Sequence, residues 1–356
     1  MSDQADSDSD TGGWDAISTS LAQLYPGQQP RHAAPVRPAF LGGGDPLDGI
    51  SVYHSTQGWP HWHYVTYGLS ELYGKQSEDP DHSGYGLELT FRLRALPGET
   101  EAPSWAFDFL QNLARYIFRT GNVFEDGHWM TANGPIALDT PTSICSMAFA
   151  GDPQLPAIET VNGRVAFVQV VGLTLEEERA ATRWAPRKLL DALLPHMPLW
   201  ITDLERASLL DLPDVGAAVA AGMARDGSST GHIFTDVLQV AELARGGGGA
   251  SLQVTLGARQ VADLLTLLPL RLPFGGSLAL AGSDWQLVFE PADIDDALLE
   301  DQTLTVFMRP VTLAAFTSTL APREGSYQVA GLAQLAWSVR KTLIRDASGA
   351  VVQTIG

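Results

Sequence analysis

The chain has 356 residues and a formal net charge of −19 at pH 7. That charge argues against a nucleic-acid groove, which needs clustered Lys and Arg, and against docking on an anionic membrane. The length suggests about two domains and is enough to bury a core without disulfides or a structural metal. Cys145 is the only cysteine, which excludes an intrachain disulfide and a cysteine-based zinc site. It sits in the run SICSM and reads as a small half-buried apolar residue rather than a catalytic thiol. The N-terminal MSDQADSDSD lacks a signal region, and no apolar run approaches the ~20 residues of a membrane span. A cytoplasmic protein is the expectation.

Residues 1–13 read as a solvated acidic tail. Trp14, Ile17, Leu21 and Leu24 recur at helical spacing, and Pro26-Gly27 ends that helix. The clearest strand is 86–94: Leu87, Leu89, Phe91 and Leu93 face one way, Glu88, Thr90, Arg92 and Arg94 the other. That period of two predicts one buried face and one wet face. A helix follows, with Ser104 as N-cap, Trp105, Phe109, Leu113 and Tyr116 or Ile117 as its apolar stripe, and Gly121 as its stop. The run RVAFVQVVG at 164–172 suits a strand covered on both faces. Thr174 and Glu177 form a capping box, Pro186 opens a second helical piece, LWITD at 199–203 reads as a short strand, and 217–225 is weakly helical. The glycines 246–249 mark the domain joint. Beyond it, strands are predicted at 252–256, 277–281, 285–290 and 304–309. Between Asp284 and Asp301 lie seven acidic residues and no Lys or Arg, which reads as a solvated face more readily than as a docking patch.

Candidate chemistry is sparse. His61 and His63, two apart in an apparent strand, share a face and could meet one metal. Flanked by Trp62 and Tyr64, they could equally hydrogen-bond to backbone within an aromatic cluster. A metal-dependent enzyme using His61 and His63 is therefore the alternative functional reading. Asp126 and His128 could be an acid–base pair, or part of a polar turn, Glu125-Asp126-Gly127-His128. There is no dinucleotide fingerprint or P-loop. The residues by themselves imply an α+β protein without an obvious active site and without a cofactor.

Several segments together carry a more specific signal. They are LGGGDPLDGISVY at 41–53, HWHYVTYGLSELYG at 61–74, GYGLELTFRLR at 84–94, LARYIFRTGNVF at 113–124, GDPQ at 151–154, VAFVQVVGLTLEE at 165–177 and WITD at 200–203. In this order and spacing the chain resembles the N-terminal domain of the Suppressor of fused family over about 14–226, with a fainter likeness around 252–289. The resemblance implies an α+β fold of two mixed sheet-and-helix domains joined by a short Gly-rich connector. The divisions expected are 1–13 as tail, 14–244 as N-terminal domain, 245–250 as connector and 251–356 as C-terminal α+β domain. It also implies a non-enzymatic module that clamps an extended partner peptide between its two domains by strand addition. Three lysines against nineteen arginines, and the lack of a long insert at the joint, suit a bacterial member. For such a member the expectation is a toxin-neutralising immunity protein with a basic toxin as partner. On the resemblance, the partner-binding positions are Tyr116, Asp126 and Gly151, the family's aspartate falling on Asp126 or Gly127 and Gly151 replacing an acidic residue of the animal family members. Tyr116 reads equally as a core aromatic of its helix.

Overall fold

The computed structural model describes residues 11–35, 44–138, 140–243, 251–345 and 349–356. The first ten residues of the expected acidic tail and the glycines 246–249 of the expected connector lie outside these. The backbone divides into two compact units: residues up to Ala181 with Pro186–Ala218, and Thr182–Ala185 with Val219–Gly356.

The first unit contains α1 (Gly12–Leu24), β1 (Arg31–Ala33), β2 (Gly49–Ser55), β3 (His61–Tyr67), β4 (His82–Arg94), α2 (Trp105–Thr120), β5 (Trp129–Thr131), β6 (Ile144–Gly151), β7 (Ile158–Thr160), β8 (Gly163–Thr174), most of α3 (Leu175–Arg183), α4 (Pro186–Leu193) and the start of α5 (Pro213–Asp226). Its strands make one sheet in the order β1-β2-β3-β4-β8-β6-β5, with β7 also on β8. The β4–β8 pair is parallel and the rest are antiparallel.

Both faces of this sheet are covered. On one, Leu87, Leu89, Phe91 and Leu93 pack with the α2 residues Phe109, Leu110, Leu113 and Ile117. On the other, Ile17 and Leu21 of α1 pack with Tyr53, Val65, Tyr67 and Phe167. The face of β4 expected to be wet is therefore buried as well. Glu88, Thr90 and Arg92 are fully enclosed, and of that row Arg94 alone has an exposed side chain. Period-two alternation reports which residues share a face, not whether a helix from elsewhere covers it.

Local signals behave unevenly. Gly121 ends α2 in the left-handed conformation (φ +74°), its N–H bonded to the Ile117 carbonyl at 2.8 Å. Ser104 has helical dihedrals and makes no side-chain cap. The capping box forms: Glu177 Oε2 accepts from Thr174 N–H at 2.9 Å, and Thr174 Oγ1 accepts from Glu177 N–H at 3.3 Å. Thr174→Ala is expected to cost ~1 kcal/mol, seen as a lower urea midpoint with unchanged slope. The segment 199–203 is not a strand throughout. Leu199 and Trp200 sit at φ +53° and +50° in a 3-10 turn, and Thr202 makes a single bridge to Leu93.

The second unit holds β9 (His232–Phe234), β10 (Leu238–Glu242), β11 (Leu252–Gly257), α6 (Ala258–Leu267), β12 (Leu278–Ala281), β13 (Gln286–Pro291), β14 (Asp296–Glu300), β15 (Thr303–Met308), α7 (Pro310–Thr319), β16 (Gly325–Gln328), β17 (Leu335–Arg340), β18 (Thr342–Arg345) and β19 (Val351–Ile355). Its sheets run β10-β11-β17-β16 and β14-β15-β13-β12-β9, with β18–β19 as a separate hairpin. The strands β9 and β10, which fall inside the expected 14–244 domain, pair with β12 and β11 of this unit. Its core centres on Trp337, Phe289 and Phe316, the last two rings 5.6 Å apart edge to face.

Candidate functional site

Residues Phe124, Asp126, Phe149 and Gly151 are brought together by the β5–β6 end of the sheet. Phe149 of β6 accepts from Gly127 N–H through its carbonyl at 2.9 Å and donates its N–H to the His128 carbonyl at 2.9 Å, so a turn at 125–128 is fixed over the strand end. Gly127 takes φ +88°, a conformation glycine adopts without strain. Asp126 projects from this turn with its side chain 53% exposed, and its Oδ1 accepts from Gly151 N–H at 3.3 Å. Arg187, second residue of α4, reaches the same oxygen at 3.3 Å while its guanidinium lies 4.7 Å over the Trp200 ring. Such an exposed pair contributes little to stability.

Tyr116 of α2 joins the patch through aromatic stacking. Its ring stacks on Phe124 at 5.5 Å and 17°, and Phe124 stacks on Phe149 at 4.0 Å and 4°. The ring is half-buried, its hydroxyl accepting from Asn122 Nδ2 at 3.4 Å, so Tyr116 packs against the core while keeping part of its surface in solvent. Gly151 ends β6 with nothing within 4 Å of where a Cβ would stand, so an acidic side chain fits there without rearrangement. Backbone bonds of Gly127 and His128 to Phe149, and of His128 N–H to the Glu125 carbonyl at 3.0 Å, tie this turn together, and His128 Nδ1 accepts from Glu125 N–H at 3.2 Å. Beside the patch, β5 ends the strand order, so one of its edges has no strand partner among the described residues.

The two histidines stand elsewhere, on β3, where both are fully buried. His61 Nδ1 contacts the Trp59 carbonyl at 2.7 Å, and His63 Nδ1 contacts the Tyr25 hydroxyl at 2.8 Å. His63 Nε2 lies 3.4 Å from Asp152 Oδ2, too far for a well-formed hydrogen bond. Asp152 is instead gripped by Arg92, at 2.6 Å (Nη1–Oδ2) and 3.0 Å (Nη2–Oδ1), and by the Thr90 hydroxyl at 2.6 Å. Arg92 also contacts Gln169 and, at 3.0 Å, Gln154. Burial, and then the Arg92 charge, push His63 down to about 4, and burial pushes His61 down to about 4. Burial alone would raise Asp152, but Arg92 and His63 hold its carboxyl well below the usual range. A guanidinium beside the carboxylate disfavours a second cation there. Among the described residues no three His, Cys, Asp or Glu side chains converge as a metal-ligand set. Cys145 is half-buried, and burial pushes its thiol up, away from nucleophilic character.

Arg187, the Phe124–Phe149 stack and the Arg92–Asp152 network are the parts that sequence reading missed. Each joins residues distant in sequence, and GDPQ at 151–154 was the one local sign of the last.

These features define a two-unit α+β protein with a polar, aromatic-backed patch beside an open sheet edge. The Suppressor of fused protein family model matches residues 43–207. Human and mouse Suppressor of fused homologs are each 35% identical over 237 residues, covering 61% of this chain and 48% of the relative. The chain thus spans about half the length of the curated relatives it matches. A crystal structure of Drosophila Suppressor of Fused superposes with a TM-score of 0.79 over 92% of this chain and 97% of that one, at 21% identity, which establishes the shared fold. The Sufu–Fu complex crystal structure matches at 32% identity and a TM-score of 0.56, covering 59% of this chain and 97% of that one. The chain belongs to the Suppressor of fused family. Among the described residues no helix is long and apolar enough to cross a membrane.

Proposed function

We propose that this protein is a non-enzymatic binding module that captures an extended segment of a partner protein at the Tyr116–Asp126–Gly151 patch. The observation that carries the reading is the half-exposed Asp126 carboxylate, fixed to the end of β6 beside the open edge of β5. An added strand would gain backbone hydrogen bonds from that edge and selectivity from the adjoining side chains. A relative seen in the Sufu–Fu complex supports a role in binding proteins. The partner we propose is a basic protein, a cationic toxin neutralised in the cytoplasm of a bacterial host. The net charge of −19 would speed its capture.

Asp126→Asn keeps shape and removes charge, so it separates recognition from folding. Partner proteins encoded beside this gene are titrated against wild type and variant. A charge-assisted contact predicts a loss of about ten- to hundredfold in affinity with an unchanged melting temperature. Gly151→Glu, which fits the open space at that position, should shift affinity in the opposite direction for a cationic segment. Equal affinity for wild type and Asp126→Asn would remove the patch from the binding site.

A further inference from the structure

We propose that the outer edge of β14 is a second docking site, for an extended segment of a partner protein that alternates basic and apolar side chains on one face. It lies wholly within the second unit and does not depend on the Asp126 reading. The hairpin β14–β15 closes through Asp301-Gln302, and β14 is the terminal strand of its five-stranded sheet. Ala297 N–H donates to the side chain of the preceding Asp296, at Oδ1, at 2.8 Å, and with Glu300 paired to Thr303 beside the two-residue turn, antiparallel alternation turns the backbone groups of Ala297 and Leu299 to the outside.

The side chains set the chemistry. Ala297 and Leu299 pack against the core of the unit. Asp296, Leu298 and Glu300 point the other way, in line with Ile294 just before the strand. The exposed row thus reads Ile294-Asp296-Leu298-Glu300, with Ile294 69% and Leu298 46% exposed. It continues across the sheet through Phe307 opposite Asp296 and Thr305 opposite Leu298, both half-buried. Asp295 is already paired with Arg309 at 2.6 Å. Asp296 and Glu300 have no ion-pair partner among the described residues.

Charged side chains on an edge strand are the ordinary protection against unwanted pairing. Protection does not call for exposed Ile294 and Leu298 between them. Alternating carboxylates and aliphatic groups match a strand whose same-face positions alternate Arg or Lys with an aliphatic residue, because directly opposite side chains are the unit of pairing in a sheet. A second copy of this chain would bring the same row, which holds two carboxylates and no Lys or Arg to meet them.

The probe is the synthetic peptide Thr-Arg-Thr-Val-Thr-Arg-Thr-Val-Thr, titrated calorimetrically against the full chain, with backbone hydrogen exchange recorded in parallel. Two control peptides replace Arg by Glu, or place Arg and Val on opposite faces. Expected are saturable binding, slowed exchange over 296–300, and affinity about tenfold weaker in D296K/E300K and in the face-shuffled peptide. Leu298→Lys, on an exposed position, serves as the second variant should the double one melt early; it removes the aliphatic contact and sets a cation among the peptide's arginines, so it too should weaken binding. Undiminished binding to the variants, slowed exchange confined to β5, equal binding of the Glu peptide, or β14 protected by dimerisation of the chain itself would each overturn the proposal.

Discussion

Asp152→Ala is expected to destabilise the protein by about 3–5 kcal/mol, read as a fall in the urea midpoint. Arg92 and Asp152 are both without solvent-exposed side-chain surface. Removing the carboxylate leaves a guanidinium buried without its counter-charge, and it also frees the Gln154 and Leu155 amides that Asp152 Oδ1 accepts at 2.8 and 2.9 Å. Arg92→Met should cost a similar amount, because it strands the carboxylate. The double variant R92M/D152L should lie closer to wild type than either single one, since a buried pair replaced by apolar groups of similar volume is often near neutral. Additive losses in the double variant would mean that the two side chains act independently. On the proposed binding reading, Asp152 follows Gly151 directly, so a loosened 152–155 turn is expected to weaken partner binding at the patch, with Asp126 itself untouched.

The same residues show what could be read from sequence and what could not. The four apolar residues of β4 and the Thr174–Glu177 box were legible because each is a local pattern with a fixed period or spacing. The polar row of β4 was misread because its partners, Thr66 and Ser70 for Glu88 and Asp152 for Thr90 and Arg92, come from other parts of the chain. A buried Arg and a solvated Arg look alike in sequence. Glu177 illustrates the division within one side chain: its cap to Thr174 was visible, whereas its bonds to Arg206 at 2.6 and 2.7 Å were not. In the second unit, β14 hid inside an acidic run, because Ala297, Leu298 and Leu299 are consecutive apolar residues that show no period of two. The patch residues were legible only through family resemblance. No period or spacing joins Asp126 to Gly151; the antiparallel pairing of β5 with β6 brings the segment before β5 to the end of β6.

Glu88 is expected to make stability fall with rising pH across the neutral range. Its carboxyl is fully enclosed, and its four partners are neutral donors: Thr66 Oγ1 at 2.5 Å, Gly68 N–H and Ser70 N–H at 2.9 Å, and Ser70 Oγ at 2.6 Å. Burial outweighs these bonds and pushes the group from 4.5 up to about 7. A folded-state value above the unfolded one favours folding fully below pH 4.5, and that advantage is lost as pH rises through about 7. Full ionisation then forfeits about 3 kcal/mol. His61 and His63 act in the opposite sense: both are pushed down to about 4, so their contribution is present above 6.5 and lost as pH falls through about 4. The wild-type profile therefore mixes opposing slopes, and a single curve cannot isolate Glu88. Subtracting the profile of Glu88→Gln, which has no proton to lose at this position, removes the histidines from the comparison. The difference in unfolding free energy between wild type and variant should be greatest near pH 4.5 and shrink by about 3 kcal/mol by pH 8. A difference that stays flat across that range would mean that the Gly68–Ser70 loop holds Glu88 ionised throughout. The loop seats α1, whose Trp14 N–H bonds to the Leu72 carbonyl at 3.0 Å. Loosening at alkaline pH should therefore appear first as faster hydrogen exchange in α1 and at 68–70.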